Sequence, residues 1–192
     1  MDIFAHGLWT YAVFHNANSP KDDKMGEFAG LKIISIFNKK RYVWLAVLFG
    51  LLPDLLSFGI LFAANLINGD LTRGKPALET LPTWIFASYN MTHSIVIFAL
   101  AFVIIYIITR KWLWPLAAWA MHIITDVPTH SNGFFPTPFL WPISSYRFNG
   151  ISWATGWFML LNYGALMLIF IMIAHNRAKE KRTNFKKHRR IH

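Results

Sequence analysis

Three apolar segments of this 192-residue chain are each long enough to cross a lipid bilayer. They are YVWLAVLFGLLPDLLSFGILFAANLI (42–67), WIFASYNMTHSIVIFALAFVIIYIIT (84–109) and TGWFMLLNYGALMLIFIMIA (155–174). The hydrocarbon core of a bilayer is about 30 Å thick, and about 20 helical residues span it. Because lipid offers the backbone no hydrogen-bond partner, such segments pair their own amides as helices. The sequence therefore predicts an all-α, polytopic membrane helical bundle.

Two shorter segments complete the predicted bundle. WLWPLAAWAMHIITDV (112–127) is short for a span, and residues 3–17 form a shorter helix that packs into the bundle. Charged residues make up 15% of the chain, against about 25% in a soluble domain, so the apolar segments need lipid as well as a protein core. We expect four to five membrane helices in one membrane-embedded domain, residues 1–176. A basic tail, residues 177–192, follows it.

The basic residues predict the orientation of the bundle. Most of them lie before the first long segment, between the second and third, or in the tail, so these parts are expected in the cytoplasm. Only Arg73, Lys75 and Arg147 would then face outside. The net charge of +10 is thus explained by the basic residues on the predicted cytoplasmic side. We expect an integral protein of the inner membrane with a cytoplasmic tail. The charge also favours contact with anionic lipid, and we expect no nucleic-acid partner.

Five ionisable side chains fall inside the predicted membrane helices. Such groups cost roughly 2.5–3.5 kcal/mol each at the bilayer centre, so they persist with partners or a function. The predicted topology places all five at middle to outer depth. Any one of them alone would be interpreted as an ordinary interhelical hydrogen-bonding residue. All five at one depth predict a metal site of nitrogen and oxygen ligands. The five are His6, Asp54, His93, His122 and Asp126.

The predicted metal is zinc, with manganese or iron(II) as the alternatives. The chain has no Cys, so a thiolate site and a thiolate nucleophile are excluded. Zinc suits mixed His and Asp ligands. A catalytic zinc lowers the pKa of a coordinated water toward roughly 7 and polarises a scissile carbonyl or phosphoryl oxygen. The pattern therefore predicts hydrolysis of a lipid-linked ester or phosphodiester.

Three residues are predicted to act in that chemistry. Asp126 would ligate the metal and share a proton. His130 is four residues further on, and the helix is expected to end before Pro128. His130 would then lie in the outer loop, as a sixth ligand or as a proton carrier for the leaving group. Arg147 is the basic residue of loop 128–153 and would clamp a phosphate or carboxylate. That proline-rich, aromatic loop is expected to cover the metal pocket and admit a lipid-like substrate.

Five short motifs resemble a known family. AHGLW, GLLPDLLS, YNMTHS, HIITDVPTH and PFLWPIS occur in the order and spacing of the bacterial and archaeal membrane-bound metal-dependent hydrolases. That family is distantly similar to the zinc-dependent phospholipase C and P1 nuclease group of all-helical enzymes. The resemblance covers residues 1 to about 150. It implies the same five metal ligands, together with an LWP motif at 140–142 and an arginine at Arg147.

The chain departs from the family pattern at two motifs. Many members have PDIDH where this chain has PDLLS, so Leu56 and Ser57 replace an acid and a histidine. Many have HRGFTHS where this chain has SYNMTHS, so Ser88 and Tyr89 replace a histidine and an arginine. Both changes remove ligands or phosphate-binding groups. The remaining five ligands suit one metal, or two metals that share bridging carboxylates.

Two other classes of function use the same residues. In a transporter of metal ions or protons, the histidines and aspartates would carry the transported ion. The chain is small for a transporter and has no repeated half. In a non-catalytic membrane protein, the same residues would only hold helices together, and the basic tail would recruit a partner.

Overall fold

The computed structural model describes residues 1–17, 27–28, 31–32, 39–69 and 78–189, and these form a helical bundle. This confirms the predicted all-α class. Two residue pairs form a short antiparallel bridge, β1 (Glu27–Phe28) with β2 (Leu31–Lys32). The helices are α1 (Ile3–Ala17), α2 (Lys39–Asp54), a π-helix (Leu55–Gly59), α3 (Ile60–Asn68), α4 (Thr83–Thr92), α5 (Ile95–Thr109), α6 (Ala117–Thr129) and α7 (Gly156–Arg189).

Two helical stretches in the described part of the chain are long and apolar enough to cross a membrane. They are Arg41–Asn68, which joins α2 to α3, and Gly156–Thr183 of α7. The pair α4 and α5 counts as a third if it is one span bent by 62°. Only 11% of the most apolar part of α7 is buried, and α5 has no buried residue. Helices that expose apolar side chains on most sides need lipid around them, which is consistent with a membrane protein.

The centre of the bundle is formed by α1, α2 and α6. Helix α2 packs against both α1 and α6, and α1 also packs against α7. The interface of α1 and α2 is close because Gly50 on α2 faces Thr10 on α1, where a side chain at position 50 would overlap the threonine hydroxyl. Most of the buried polar side chains belong to these helices and to the α4–α5 junction. The centre of the bundle therefore contains a cluster of polar side chains among buried apolar ones.

A proline inside an apolar segment predicts a helix break at Pro53, and the structure has a π-helix shortly after it instead. Helix α2 runs through Pro53 to Asp54, and the wider turn Leu55–Gly59 leads directly into α3. A proline cannot give its amide to the preceding turn, and a π-turn is a common way to absorb that loss. The Ser57 hydroxyl donates to the Pro53 carbonyl at 2.8 Å. The hydroxyl thus pairs a backbone carbonyl within the wider turn.

The segment predicted as one span, 84–109, is divided at His93. Helix α4 ends at Thr92 and α5 begins at Ile95, with a bend of 62° between them. The Ser94 hydroxyl caps α5 by accepting from the amides of Val96 and Ile97, each at 3.2 Å. On the other side of the bend, the Thr92 carbonyl accepts from the indole of Trp119 at 2.6 Å. A cap and an indole therefore satisfy the groups that the bend leaves open.

Helix α6 continues past Pro128, where the sequence predicted it to end. It runs to Thr129, because the His130 amide still donates to the Asp126 carbonyl at 3.0 Å. Pro128 sits in the last turn and leaves only the Ile124 carbonyl without its usual donor, on a residue that is exposed. Helix α7 runs without interruption across the predicted boundary at residue 176. The segment FAGLKIISIF (28–37) is too short to span a bilayer, and its sequence predicts that it lies along the membrane interface. Of these residues, the structure describes only 28, 31 and 32.

The loop after α6 lies against the α4–α5 bend. The Ile95 amide donates to the Phe139 carbonyl at 2.9 Å, and the Ser94 hydroxyl also donates to the Trp141 carbonyl. Phe135 is buried against Tyr89 and Ile85 of α4. The loop therefore fixes the bend that carries His93.

Candidate metal centre

Four of the five predicted metal ligands converge in the middle of the bundle. One donor atom from each of Asp54, His93, His122 and Asp126 lies within 4.8 Å of all the others. They come from three parts of the chain: the end of α2, the α4–α5 bend, and one face of α6. His93, His122 and Asp126 are fully buried, whereas the Asp54 side chain is 14% exposed. The cluster thus has one open side, at Asp54.

Both cluster histidines are held so that Nε2 faces the other ligands. Nδ1 of His122 lies 2.7 Å from the Gly50 carbonyl, and Nδ1 of His93 lies 3.2 Å from the Tyr89 carbonyl. A carbonyl only accepts, so Nδ1 of each ring carries the proton and donates it. In the neutral rings Nε2 then carries a lone pair. This arrangement, with Nδ1–H bound to a backbone carbonyl, is the usual one for metal-ligating histidines.

Five of the six distances between the donor atoms are compatible with a single tetrahedral ion. The Nε2 atoms of His93 and His122 are 3.1 Å apart. Oδ1 of Asp54 lies 3.5 and 3.8 Å from these two nitrogens, and Oδ2 of Asp126 lies 3.5 and 3.2 Å from them. Ligands held tetrahedrally at about 2.0 Å from zinc are separated by about 3.3 Å. The five distances lie around that value.

One oxygen of Asp126 is left for a cation. Oδ2 is buried and has no hydrogen-bond partner among the described residues. Two imidazole lone pairs and two carboxylate oxygens therefore face a common centre. Acceptors without a shared proton or cation repel one another, and a buried unpaired carboxylate oxygen is costly. The donor set thus fits a divalent ion of borderline hardness.

His6, the fifth predicted ligand, lies beside the group of four. Its Nε2 is 2.8 Å from Oδ1 of Asp126, and its ring stacks on His122 with centroids 3.7 Å apart. The amine of Met1 forms an ion pair with the same Oδ1. In this geometry His6 orients the Asp126 carboxylate, so that Oδ2 turns to the centre. Direct ligation by His6 stays a prediction.

The other two predicted catalytic residues lie at different distances from the cluster. Nδ1 of His130 is 3.2 Å from the Asp126 carbonyl and 3.5 Å from Oδ1 of Asp126, so His130 borders the site. Burial lowers the pKa of His130 to about 4, although the Asp126 carboxylate opposes this, so the ring is neutral at pH 7. Arg147 is exposed on the loop after α6, with Nη2 3.5 Å from Oδ1 of Asn90. It contacts α4 rather than the four ligands.

Sequence reasoning missed the groups that position the ligands. Gly50 supplies the carbonyl that holds His122, and Tyr89 supplies the carbonyl that holds His93. The Tyr89 ring also stacks on His93, with centroids 3.9 Å apart. Tyr89 stands four residues before His93, one helical turn away, which is a signal that the sequence contains. The contact of Gly50 with His122 is long-range and leaves no such signal.

We expect Gly50→Ala to weaken metal binding by about tenfold or more, as the loss of a positioning group does elsewhere. The added Cβ would overlap the Thr10 hydroxyl and lie 3.1 Å from the Thr10 Cβ. Relieving this contact moves α2, and with it the carbonyl that holds His122. Overpacking of this kind costs about 1–3 kcal/mol of stability. Competition with a chromogenic chelator measures the affinity.

Gly164→Ala is the matched control for this variant. A Cβ at Gly164 on α7 would meet no atom within 4 Å, so the parent affinity is expected. Adding Thr10→Ala to Gly50→Ala removes the overlapping hydroxyl and should restore part of the binding. Parent-like metal affinity in Gly50→Ala alone would contradict this description of the site.

No protein-family model, no curated protein and no solved structure matches this chain. The resemblance to the membrane-bound metal-dependent hydrolases therefore stays a prediction that depends on five short motifs. The convergence of the four candidate ligands does not depend on that resemblance, because it is observed in the structure. The chain is thus a helical protein, consistent with membrane insertion, whose buried cluster of two histidines and two aspartates could hold a metal ion.

Proposed function

We propose that this chain is a membrane-embedded, metal-dependent hydrolase that acts on an ester or phosphodiester of a lipid-like substrate. The observation that supports it most is the set of four acceptor atoms around one centre, with both histidines oriented by backbone carbonyls. Zinc is the proposed ion. When bound, such an ion acidifies water and polarises the oxygen of a scissile bond.

Each residue of the site has a separate role in this proposal. Asp54, His93, His122 and Asp126 hold the ion, and His6 fixes the orientation of Asp126 through Oδ1. Two groups, the His6 ring and the Met1 amine, hold Asp126 at that oxygen, so it is the more rigid carboxylate. Asp54 is the exposed one, and its carboxylate is the group at which water or substrate enters. His130 borders Asp126 and is proposed to exchange protons with the leaving group.

The opening at Asp54 favours an apolar substrate. The next two residues, Leu55 and Leu56, are 38% and 42% exposed. A substrate that approaches Asp54 therefore meets aliphatic surface, as the acyl part of a lipid would require. Arg147 contacts Asn90 on α4, a helix that packs against the π-helix after Asp54. Its guanidinium is proposed to hold an anionic head group.

The membrane arrangement is part of the proposal. Five membrane segments would run from an outer N-terminus to a cytoplasmic tail in the inner membrane. Basic residues support this orientation, because the described end of α7 exposes Arg177, Lys179, Lys181 and Arg182. The metal centre would then lie toward the outer leaflet.

The proposal is tested on the full chain purified in detergent and loaded with zinc. We expect hydrolysis of at least one probe among lipid-like phosphodiesters, phosphomonoesters and carboxylesters, and at least about 100-fold less in Asp54→Asn. Asp2→Asn is the control, because Asp2 accepts from Tyr163 and from the Ala5 amide, away from the four ligands. Arg147→Gln should raise KM for anionic probes more than it lowers kcat.

Two results would overturn the proposal. Metal-dependent uptake of ions into vesicles without hydrolysis of any probe would assign the cluster to transport. A chain that binds no metal and cleaves nothing would leave the cluster as an interhelical hydrogen-bond network. Equal activity of Asp54→Asn and the parent would also contradict the assigned ligands.

A further inference from the structure

A groove with a cationic end lies on the outside of α1, α2 and α7, on the side of α1 away from the metal centre. Its volume is about 710 Å³. Apolar side chains line most of it, among them Phe4, Leu8, Trp44, Leu51 and Phe170. A volume of this size falls in the range of small-molecule sites, about 300–1,000 Å³. The groove is open along its side, so a ligand could enter from the surrounding lipid.

Arg177 stands at one end of the groove and is held there by α1. Nε donates to Nε2 of His15 at 3.1 Å, and Nη2 donates to the Tyr11 hydroxyl at 2.9 Å. Nη2 also contacts Nε2 of His15, so these three contacts engage three of the five N–H donors of the guanidinium and leave the two of Nη1. Arg177 is exposed, and it is the only charged residue among the described residues that line the groove. The groove therefore has an apolar body and a cationic end.

The position of Arg177 along α7 matches the depth of lipid head groups. At 1.5 Å per helical residue, Arg177 lies about 31 Å from Gly156, where α7 begins. The hydrocarbon core of a bilayer is about 30 Å thick. If Gly156 marks one face of the core, Arg177 lies at the phosphate level of the other face. Lys179, Lys181 and Arg182 follow it and are exposed on the same helix end.

We propose that this groove binds a membrane phospholipid with an anionic head group, from the leaflet at the C-terminal end of α7. The acyl chain lies along the apolar body, and the phosphate accepts hydrogen bonds from the Arg177 guanidinium. Arginine suits this role because its planar fork matches phosphate oxygens and its charge is permanent. The bound lipid would join α1 to α7 and so support the helix that carries His6. This inference requires that α7 crosses the bilayer, and it does not require hydrolase activity.

The test measures binding of dioleoyl-phosphatidylglycerol to the delipidated full chain in detergent, read from the rise in the unfolding temperature with lipid concentration. The parent should show saturable binding. Arg177→Gln should bind about tenfold more weakly, because a charge-assisted hydrogen bond is lost. Ala174→Phe should abolish binding, because Ala174 is an exposed residue that lines the groove and a phenyl ring would fill it.

Two matched controls separate this site from general effects. Arg182→Gln removes the same charge from α7 outside the groove, and Leu168→Phe adds a ring to an exposed position of α7 that does not line it. Both should bind the lipid as the parent does. Equal weakening in Arg177→Gln and Arg182→Gln would overturn the inference, as would an equal temperature rise from glycerol phosphate alone. Metal content should be unchanged in Arg177→Gln, so failure here is distinguishable from failure of the metal centre.

Discussion

Asp126→Asn is expected to abolish stoichiometric metal binding and to leave the chain folded. The change removes the carboxylate oxygen Oδ2, which is buried, accepts no hydrogen bond from the described residues and faces Nε2 of His93 and of His122. We expect the affinity for zinc to fall by more than about 100-fold, the upper end for loss of an outer-shell partner, because a direct ligand is lost. An asparagine amide at this position can donate to Nε2 of His122, which lies 3.2 Å from Oδ2. The variant therefore replaces the ion by a hydrogen bond.

The measurement is elemental analysis of the purified variant beside the parent. Asp2→Asn is the control and should keep the parent's metal content, because Asp2 lies outside the four ligands. The unfolding temperature of Asp126→Asn should not change when a chelator is added. A variant that keeps one tightly bound metal per chain would show that Asp126 is not a ligand.

Removal of the metal from the parent chain is expected to lower its unfolding temperature by about 8–16 °C. A ligand at a thousandfold excess over its dissociation constant stabilises the folded state by about 4 kcal/mol. For a chain of this size, each kcal/mol corresponds to about 2–4 °C. The physical cause is the set of four acceptor atoms, which repel one another when the cation is absent. Differential scanning fluorimetry with and without chelator measures the shift.

Adding different metals back to the chelator-treated chain tests which ion the site prefers. Zinc should restore the parent temperature, and magnesium should not, because magnesium prefers oxygen ligands in octahedral geometry and the cluster offers two imidazoles. Asp126→Asn should show neither the loss nor the recovery. A parent chain with the same unfolding temperature in chelator and in zinc would contradict a stabilising ion at this site.

The helices were largely predictable because their length is set by the bilayer. Residues 3–17 form α1 as predicted, and the predicted segment 42–67 corresponds to the helical stretch Arg41–Asn68. The bend at His93 was missed because the apolar residues on both sides form one continuous pattern. Ser94 before an apolar run is an N-cap signal that pointed to it. The indole of Trp119, which stabilises the bend from another helix, leaves no local signal.

The sequence predicted the level of each site residue along its helix, but not the direction in which its side chain points around the helix axis. Counting residues from the ends of each segment places His93, His122 and Asp126 at one level, and the structure brings them together with Asp54. Counting does not tell which way a side chain points around its helix axis. His6 illustrates the difference, because it lies at the expected level but faces Oδ1 of Asp126 from outside the group of four. Likewise, the π-helix after Asp54 arises from Pro53 and could not be distinguished from a break by sequence alone.

X-ray absorption at the zinc edge of the purified, zinc-loaded chain tests the central claim most directly. The account predicts about one zinc per chain, with nitrogen and oxygen neighbours at about 2.0–2.2 Å and the outer-shell scattering of two imidazole rings. The imidazole signal should fall by half in His122→Ala. A spectrum of fully hydrated zinc, or one without imidazole scattering, would contradict a metal centre built from His93, His122, Asp54 and Asp126.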